Sequence, residues 1–289
     1  MNGVLVVDKP KGITSFDVVR EVRRALGVKK VGHTGTLDPM ATGVLPICIG
    51  DATKIAQFIT EATKAYDATV KLGATTDTLD AEGRVLETRP VPPVTRELLE
   101  AALQRFRGTF QQVPPMYSAI KVGGKRLYEL ARAGEEIERA PREVTVYELV
   151  LRDFSADEVK LSVTSSKGFF VRSLAADLGE ALGCGAHLTA LRRTQAGPFL
   201  LAQAIPLAEV VAQRGAVAPR LVSLNDALTD LPEVRLAAAQ AARVRHGGLV
   251  EVAATMSGLV RVVDPAGQLL AVAEALKGRL VYRRVLSAD

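Results

Sequence analysis

A single carboxylate, Asp38, stands in the segment VGHTGTLDPMATGVLP, Val31 to Pro46, with three glycines, two prolines, three threonines and one histidine. Glycine admits backbone conformations that other residues resist and proline fixes φ, so the mixture predicts a shaped loop. The apolar β-formers Val44, Leu45, Ile47 and Ile49 follow at once, which tethers that loop to a buried strand. Loops held by a core are where binding and catalytic groups concentrate. The same composition suits an ordinary tight turn with Asp38 as turn former, and spacing alone does not choose. No Gly-Lys-Ser/Thr follows the glycines, and they do not fit Gly-x-Gly-x-x-Gly. A phosphate loop and a dinucleotide fingerprint are both excluded. What is left is carboxylate catalysis without a nucleotide cofactor.

Two other sets of side chains invite chemistry. Arg172 lies between Val171 and Leu174 in an apolar run. A guanidinium there needs a partner, because burying it alone is costly, and a carboxylate elsewhere in the fold is the economical one. Between Gln111 and Arg142, Tyr117 and Tyr128 are set among Lys121, Lys125, Arg126 and Arg132. That is the composition for base stacking with phosphate binding, and equally for a surface helix, Leu127 to Ala133, with a solvated face. Lys29, Lys30 and His33 precede the acid loop as either solvated charges or phosphate contacts. The histidines His33, His187 and His246 are too scattered for a zinc site, and no metal is expected. Cys48 and Cys184 read as buried thiols of a reducing compartment.

The elements that must position these groups follow from pattern. At 289 residues the chain has room for one or two domains. Val4 to Val7 reads as a buried strand. Thr14 to Asp17 matches a capping box, after which Val18, Val22 and Leu26 share a helical face until Gly27. Ala52 to Ala62 is predicted helical, Lys64 to Leu72 alternates as a strand, and residues 73–84 form a polar connection. Thr95 starts a helix whose inner face carries Leu98, Leu99, Ala102 and Phe106. Val144 to Leu151 and Val159 to Val163 are neighbouring strands, and Ser173 to Leu182 is a helix. After Pro206 a helix and loop connection runs to about Asp230.

The tail from Leu231 breaks into short apolar runs (Leu249 to Val252, Leu259 to Val263, Leu269 to Val272, Leu280 to Val285), the pattern of a small β-barrel or sandwich. Eight basic against five acidic residues give this tail +3 of the whole chain's +5. It reads as an appended RNA-binding module. The opening MNGVLVVDKPKG is too broken by charge for a signal peptide, and no apolar run approaches a membrane span. A soluble, cytoplasmic protein with no membrane partner is predicted.

Taken together the motifs resemble those of the bacterial TruB-type tRNA pseudouridine synthases, over nearly the whole chain. VDKPKGITS at Val7 to Ser15 resembles that family's first motif, and GHTGTLDPMATGVLP at Gly32 to Pro46 the one holding its catalytic aspartate, here Asp38. KAYDATVKLG resembles the motif of an active-site tyrosine, here Tyr66. SKGFFVRSLAADLG resembles the motif of an aspartate-pairing arginine, here Arg172. AHLTALRRT matches a signature whose pocket leucine falls on Leu191. One departure stands out: the family's usual tyrosine two residues before the arginine is Phe170, which packs against a base but brings no hydroxyl.

The resemblance implies an α+β fold with a mixed, mainly antiparallel central sheet flanked by helices. It implies a catalytic domain over 1–230, with an RNA-gripping insertion at about 111–142, and a β-rich PUA-like domain over 231–289. The implied reaction isomerises uridine 55 in the T-loop of tRNA, by base flipping and aspartate catalysis, with no cofactor, guide RNA or obligate protein partner, in a monomer. Burial would raise the pKa of Asp38, and a guanidinium opposes that, so an Asp38–Arg172 ion pair is predicted. Attack on C1′, addition to C6 and removal of a ribose proton all fit as the first step. Tyr66 would stack on the base near C5, His33 would fill the gap left by the flipped uridine, and Lys9 would contact phosphate or the loop. The rival readings are a non-catalytic RNA-binding protein, a guide-dependent relative and a carboxylate hydrolase. The last lacks the second carboxylate that glycoside hydrolysis needs.

Overall fold

The seven residues GVLVVDK have no hydrophobic period, because both faces of the strand they form are covered: Gly3–Lys9 is buried along almost its whole length. In the computed structural model, which describes residues 1–286, this strand runs antiparallel to Thr42–Ile49 (Val4 opposite Cys48, Val7 opposite Leu45) and parallel to the short strand Ile205–Pro206. The strand Val31–His33 pairs with the other edge of Thr42–Ile49, His33 opposite Ile47. Helix Ser15–Leu26 forms as its sequence predicts. The side chain of Thr14 accepts from Asp17 N–H, the Asp17 carboxylate accepts in return from Thr14 N–H, and Gly27 ends the helix at φ 63°.

These elements belong to the first of two compact units, which consists of Met1–Pro39, Gly43–Ala62 and the chain from Gln195 onward. The C-terminal region lies in the same unit. Its sheet has the order Glu233–Arg235, Gly258–Val263, Leu269–Leu276, Arg279–Val285, the first pair parallel and the others antiparallel. Helix Ala238–Arg245 packs against Leu269–Leu276. The barrel or sandwich expected from the short apolar runs gives way to a sheet with a helix, and Leu249 to Val252 contributes only an isolated bridge from Glu251 to Arg279. Val272 and Leu286 share a core cluster with Val4, Val6, Cys48 and Phe199, so this sheet and the N-terminal strands are anchored in common apolar packing.

The second unit, Met40–Thr42 and Thr63–Thr194, is built on strands in the order Ala186–Ala196, Lys64–Leu72, Glu158–Ser165, Arg142–Phe154, Gly108–Gln112. The last three interfaces in that series are antiparallel. Lys64–Leu72 alternates as predicted, with Tyr66, Ala68, Val70 and Leu72 inside. Helices Arg96–Gln104 and Val171–Ala181 pack on each other and on these strands through Leu99, Leu103, Leu174 and Leu178. The fold is thus α+β, with a mixed, mainly antiparallel central sheet, flanking helices and a small C-terminal β-rich region.

Three local expectations differ from the structure. The helix expected over Ala52 to Ala62 is a 3₁₀ turn, Gly50–Lys54, and a five-residue helix, Ala56–Thr60, because Ile55 closes the turn by donating its N–H to the Ala52 carbonyl. Residues 73–84 begin a hairpin: Ala74–Thr76 pairs with Val85–Thr88. Leu98 faces outward at 40% exposure, and Leu103 takes its place inside. Among the described residues no helix is long and apolar enough to cross a membrane.

Candidate active site

In the first unit the segment around Asp38 is pinned on both sides. Ser15, the first residue of the capped helix, donates its Oγ–H to the Leu37 carbonyl (3.0 Å) and accepts from Leu37 N–H (2.8 Å). Both residues are buried, which makes this reciprocal pair strong. On the other side, the Pro39 carbonyl accepts from Gly12 N–H (2.8 Å) and from the Lys9 ammonium (3.2 Å). Lys9 also donates to the Pro10 carbonyl and is 0% exposed. This buried ammonium holds the loop through backbone carbonyls. Thr34 N–H donates to the Pro46 carbonyl, which closes the base of the loop. Asp38 and His33 are both half-buried, so the carboxylate sits on fixed backbone with access to solvent. The capping box and the glycine-proline loop, read separately in the sequence, are one device.

In the second unit Arg172 is 4% exposed, on the first turn of helix Val171–Ala181. Its Nη1 donates to the Thr78 carbonyl (3.0 Å) and its Nη2 to the Tyr117 carbonyl (2.7 Å). The Asp80 carboxylate also stands against this guanidinium, with Nη1 and Oδ2 3.7 Å apart. Asp80 is itself 4% exposed, and its Oδ1 accepts from Thr78 Oγ1 (2.6 Å) and Glu82 N–H (3.1 Å). Those bonds shape the tip of the hairpin, where Leu79 takes φ 63° and its carbonyl accepts from Leu188 N–H. The guanidinium is therefore oriented before any substrate arrives.

The remaining candidates in this unit are spread over three elements. Tyr66 lies in the strand Lys64–Leu72 opposite Val163, 9% exposed. Leu191 lies in Ala186–Ala196, 7% exposed. Phe170 is half-buried immediately before the helix of Arg172. Its N–H donates to Gln112 Oε1 (2.8 Å) and its carbonyl accepts from Gln112 Nε2 (3.1 Å). In the segment 111–142, Tyr128 is flanked by the guanidinium groups of Arg126 and Arg132, at 5.8 and 5.5 Å from its ring centre.

Sequence reasoning missed Asp80, Gln112 and the loop-fixing role of Ser15. The need of Arg172 for a carboxylate was visible. Asp80, however, sits in TDTLDAEG, a stretch indistinguishable from any polar turn, and Gln112 and Ser15 act through backbone bonds to distant segments.

Residues 23–171 match the TruB family pseudouridylate synthase N-terminal domain, residues 172–228 the tRNA pseudouridylate synthase B C-terminal domain, and residues 231–286 the tRNA pseudouridine synthase II C-terminal domain. The chain belongs to the TruB family of pseudouridylate synthases. It is similar to proteins named tRNA pseudouridine synthase B from Aeromonas salmonicida (strain A449), 47% identical over 99% of this chain and 94% of that protein, and from Azoarcus sp. (strain BH72), 48% identical over 100% and 96%. Among solved structures it resembles a chain of an H/ACA RNP bound to a substrate RNA containing 2'-deoxyuridine (TM-score 0.78, 25% identity, 99% of this chain and 85% of that one). It also resembles a chain of a Cbf5-Nop10-Gar1 complex (TM-score 0.79, 26% identity, 98% and 84%). As a member of this family the protein is an isomerase that makes pseudouridine.

Proposed function

We propose that this TruB-family enzyme converts uridine 55 in the T-loop of tRNA to pseudouridine, with Asp38 as its catalytic carboxylate. The observation that carries the reading is the fixed backbone on either side of Asp38, made by Ser15 on Leu37 and by Gly12 and Lys9 on Pro39. A preorganised carboxylate loses little freedom on reaching its transition state, which favours a direct role in catalysis over turn formation. The relatives' names support tRNA as the substrate, and the higher identity to them than to the H/ACA chains supports direct recognition without guide RNA.

The reaction breaks the uracil–ribose bond at N1, turns the base and rejoins it through C5, with no net oxidation. Asp38 acts ionised, as nucleophile or base toward the uridine. Arg172, always protonated, opposes the neutralisation that desolvation by a bound base would impose, and pairs with Asp38. Tyr66 stacks on the target base with its hydroxyl toward C5, where a proton leaves. Leu191 and Phe170 line the pocket, Phe170 by its ring alone. Flipping the uridine costs on the order of a few kcal/mol of unstacking, and His33 fills the space it vacates. The arginines around Tyr128 and the basic C-terminal region over 231–289, a PUA-like module, grip the T-arm through phosphates and stacking.

A T-arm stem-loop transcript with tritium at C5 of its uridines tests this. Multiple-turnover tritium release by the wild type, abolished by Asp38→Asn while RNA binding persists, is expected. Binding without release from any tRNA would refute the assignment.

A further inference from the structure

Gln112 ends the strand Gly108–Gln112 opposite Arg142 and is 3% exposed. Its amide spends both hydrogen-bonding functions on one residue, donating to the Phe170 carbonyl at 3.1 Å and accepting from Phe170 N–H at 2.8 Å. A side-chain amide that gives and takes on the same residue imitates a rung of an antiparallel ladder, so it fixes both the position and the rotation of that peptide unit. Phe170 has φ −112° and ψ 111°, stands immediately before helix Val171–Ala181, and gives the helix no side-chain cap. One residue beyond Arg172, Ser173 Oγ donates to the Val113 carbonyl at 2.9 Å. Residues 112 and 113 therefore hold the chain two residues before and one residue after Arg172. The same segment continues through two prolines to Tyr117, whose carbonyl accepts from the Arg172 guanidinium. One stretch of chain thus sets both the root and the head of this arginine.

We propose that Gln112 is a positioning residue for catalysis: its clamp on Phe170 sets where the helix of Arg172 begins and hence where the guanidinium is held. The inference rests on the reading of Arg172 as the partner of Asp38. The clamp matters here because Phe170 has no hydroxyl with which to anchor its own side chain, so the residue is located by its backbone. An apolar side chain at 112 would leave a buried N–H unpaired, and the local segment would shift to recover water or another partner.

The test measures single-turnover tritium release at saturating T-arm stem-loop, together with RNA affinity, for wild type, Gln112→Met, Gln112→Glu, Arg172→Lys and the double variant Gln112→Met/Arg172→Lys. Gln112→Met is expected to lose roughly 10- to 100-fold in rate, the scale of about 1 Å of misplacement, with RNA affinity held within about twofold. Gln112→Glu, which keeps the length and the acceptor for Phe170 N–H but sets its second oxygen against the Phe170 carbonyl, is expected to lose at least as much. With Arg172→Lys already present, Gln112→Met is expected to change the rate by less than about threefold, because residues that act through one another are not additive. Equal losses in both backgrounds would show general structural damage and overturn the proposal. So would an unchanged rate in Gln112→Met. If Gln112→Met does not fold, Gln112→Glu in the two backgrounds is judged by the same criterion. A wild type that binds RNA and releases no tritium removes the synthase reading itself, an outcome distinct from any pattern among active variants.

Discussion

The guanidinium of Arg172 and the carboxylate of Asp80 approach to 3.7 Å, with both side chains 5% exposed. Asp80 uses its two oxygens differently. Oδ1 accepts from Thr78 and Glu82 and so builds the turn, while Oδ2 faces the arginine. Thr78 appears on both sides of this arrangement, because its carbonyl accepts from Arg172 and its hydroxyl donates to Asp80. The hairpin tip is thus a socket, whose charge and shape are both supplied by Asp80.

Separating those two roles gives the first prediction. Asp80→Asn keeps an acceptor for Thr78 and Glu82 but removes the counter-charge, so it should fold and lose about tenfold in single-turnover rate, the effect of about 1.4 kcal/mol. Asp80→Ala removes both roles and takes this counter-charge away from a buried guanidinium. It should lose about 3–5 kcal/mol of stability, measured by urea unfolding. Equal stability loss in the two variants would mean that charge, not turn shape, dominates.

Ser15 supports the acid loop through two bonds to one residue, Leu37. Ser15→Ala leaves the N–H and carbonyl of buried Leu37 without that partner, at about 1–3 kcal/mol. The expected result is a lower unfolding midpoint and a fall in kcat, with the affinity for T-arm RNA unchanged. A variant with weakened RNA binding and normal kcat would locate Ser15 in recognition instead.

Local signals were legible in the sequence, and long-range ones were not. The capping box at Thr14 and Asp17 and the glycine stop at Gly27 act within one or two turns, so helix Ser15–Leu26 could be read directly. Lys64–Leu72 was legible because one of its faces is buried and the period of two survives. Helix Ala238–Arg245 was not, since AAQAARVR offers little apolar contrast, and the strand Glu233–Arg235 exists only because Arg261 to Val263 lies parallel to it. At the site, the apolar flanks of Arg172 announced a carboxylate partner. That Asp80 lies against it depends on the path of a hairpin, which no spacing in TDTLDAEG encodes.

Helix Val171–Ala181 passes so close to the turn before Ala186–Ala196 that only glycine fits at 179. A Cβ there would stand 2.1 Å from Ala186 N and 2.3 Å from the carbonyl carbon of Gly185. The obstruction is backbone, which cannot rotate away as a side chain can. The Gly179 carbonyl also accepts from Cys184 and Gly185 N–H groups, so the helix and the turn cannot separate cheaply. Gly179→Ala should therefore cost about 3 kcal/mol or more, beyond ordinary overpacking, despite alanine's better helix propensity. Urea unfolding checks this, and a neutral or stabilised variant would contradict the packing.

Cys48 faces the apolar cluster of Val4, Val6 and Phe199, and burial pushes its thiol from 9.0 up to about 12. The native protein therefore holds the proton that the unfolded chain gives up. The stabilising contribution is complete below pH 9 and falls as pH rises from 9 toward 12, because there the unfolded state binds fewer protons than the native one. Lysines and tyrosines titrate over the same interval, so the thiol is isolated by the difference between wild type and Cys48→Ala. That difference should shrink by about 1.4 kcal/mol per pH unit once the unfolded thiol ionises, measured by urea unfolding at several pH values. The same burial predicts that iodoacetamide at pH 8 leaves Cys48 unmodified in the native protein and labels it after unfolding. Rapid native labelling, or a pH-independent difference, would show that this core opens to water.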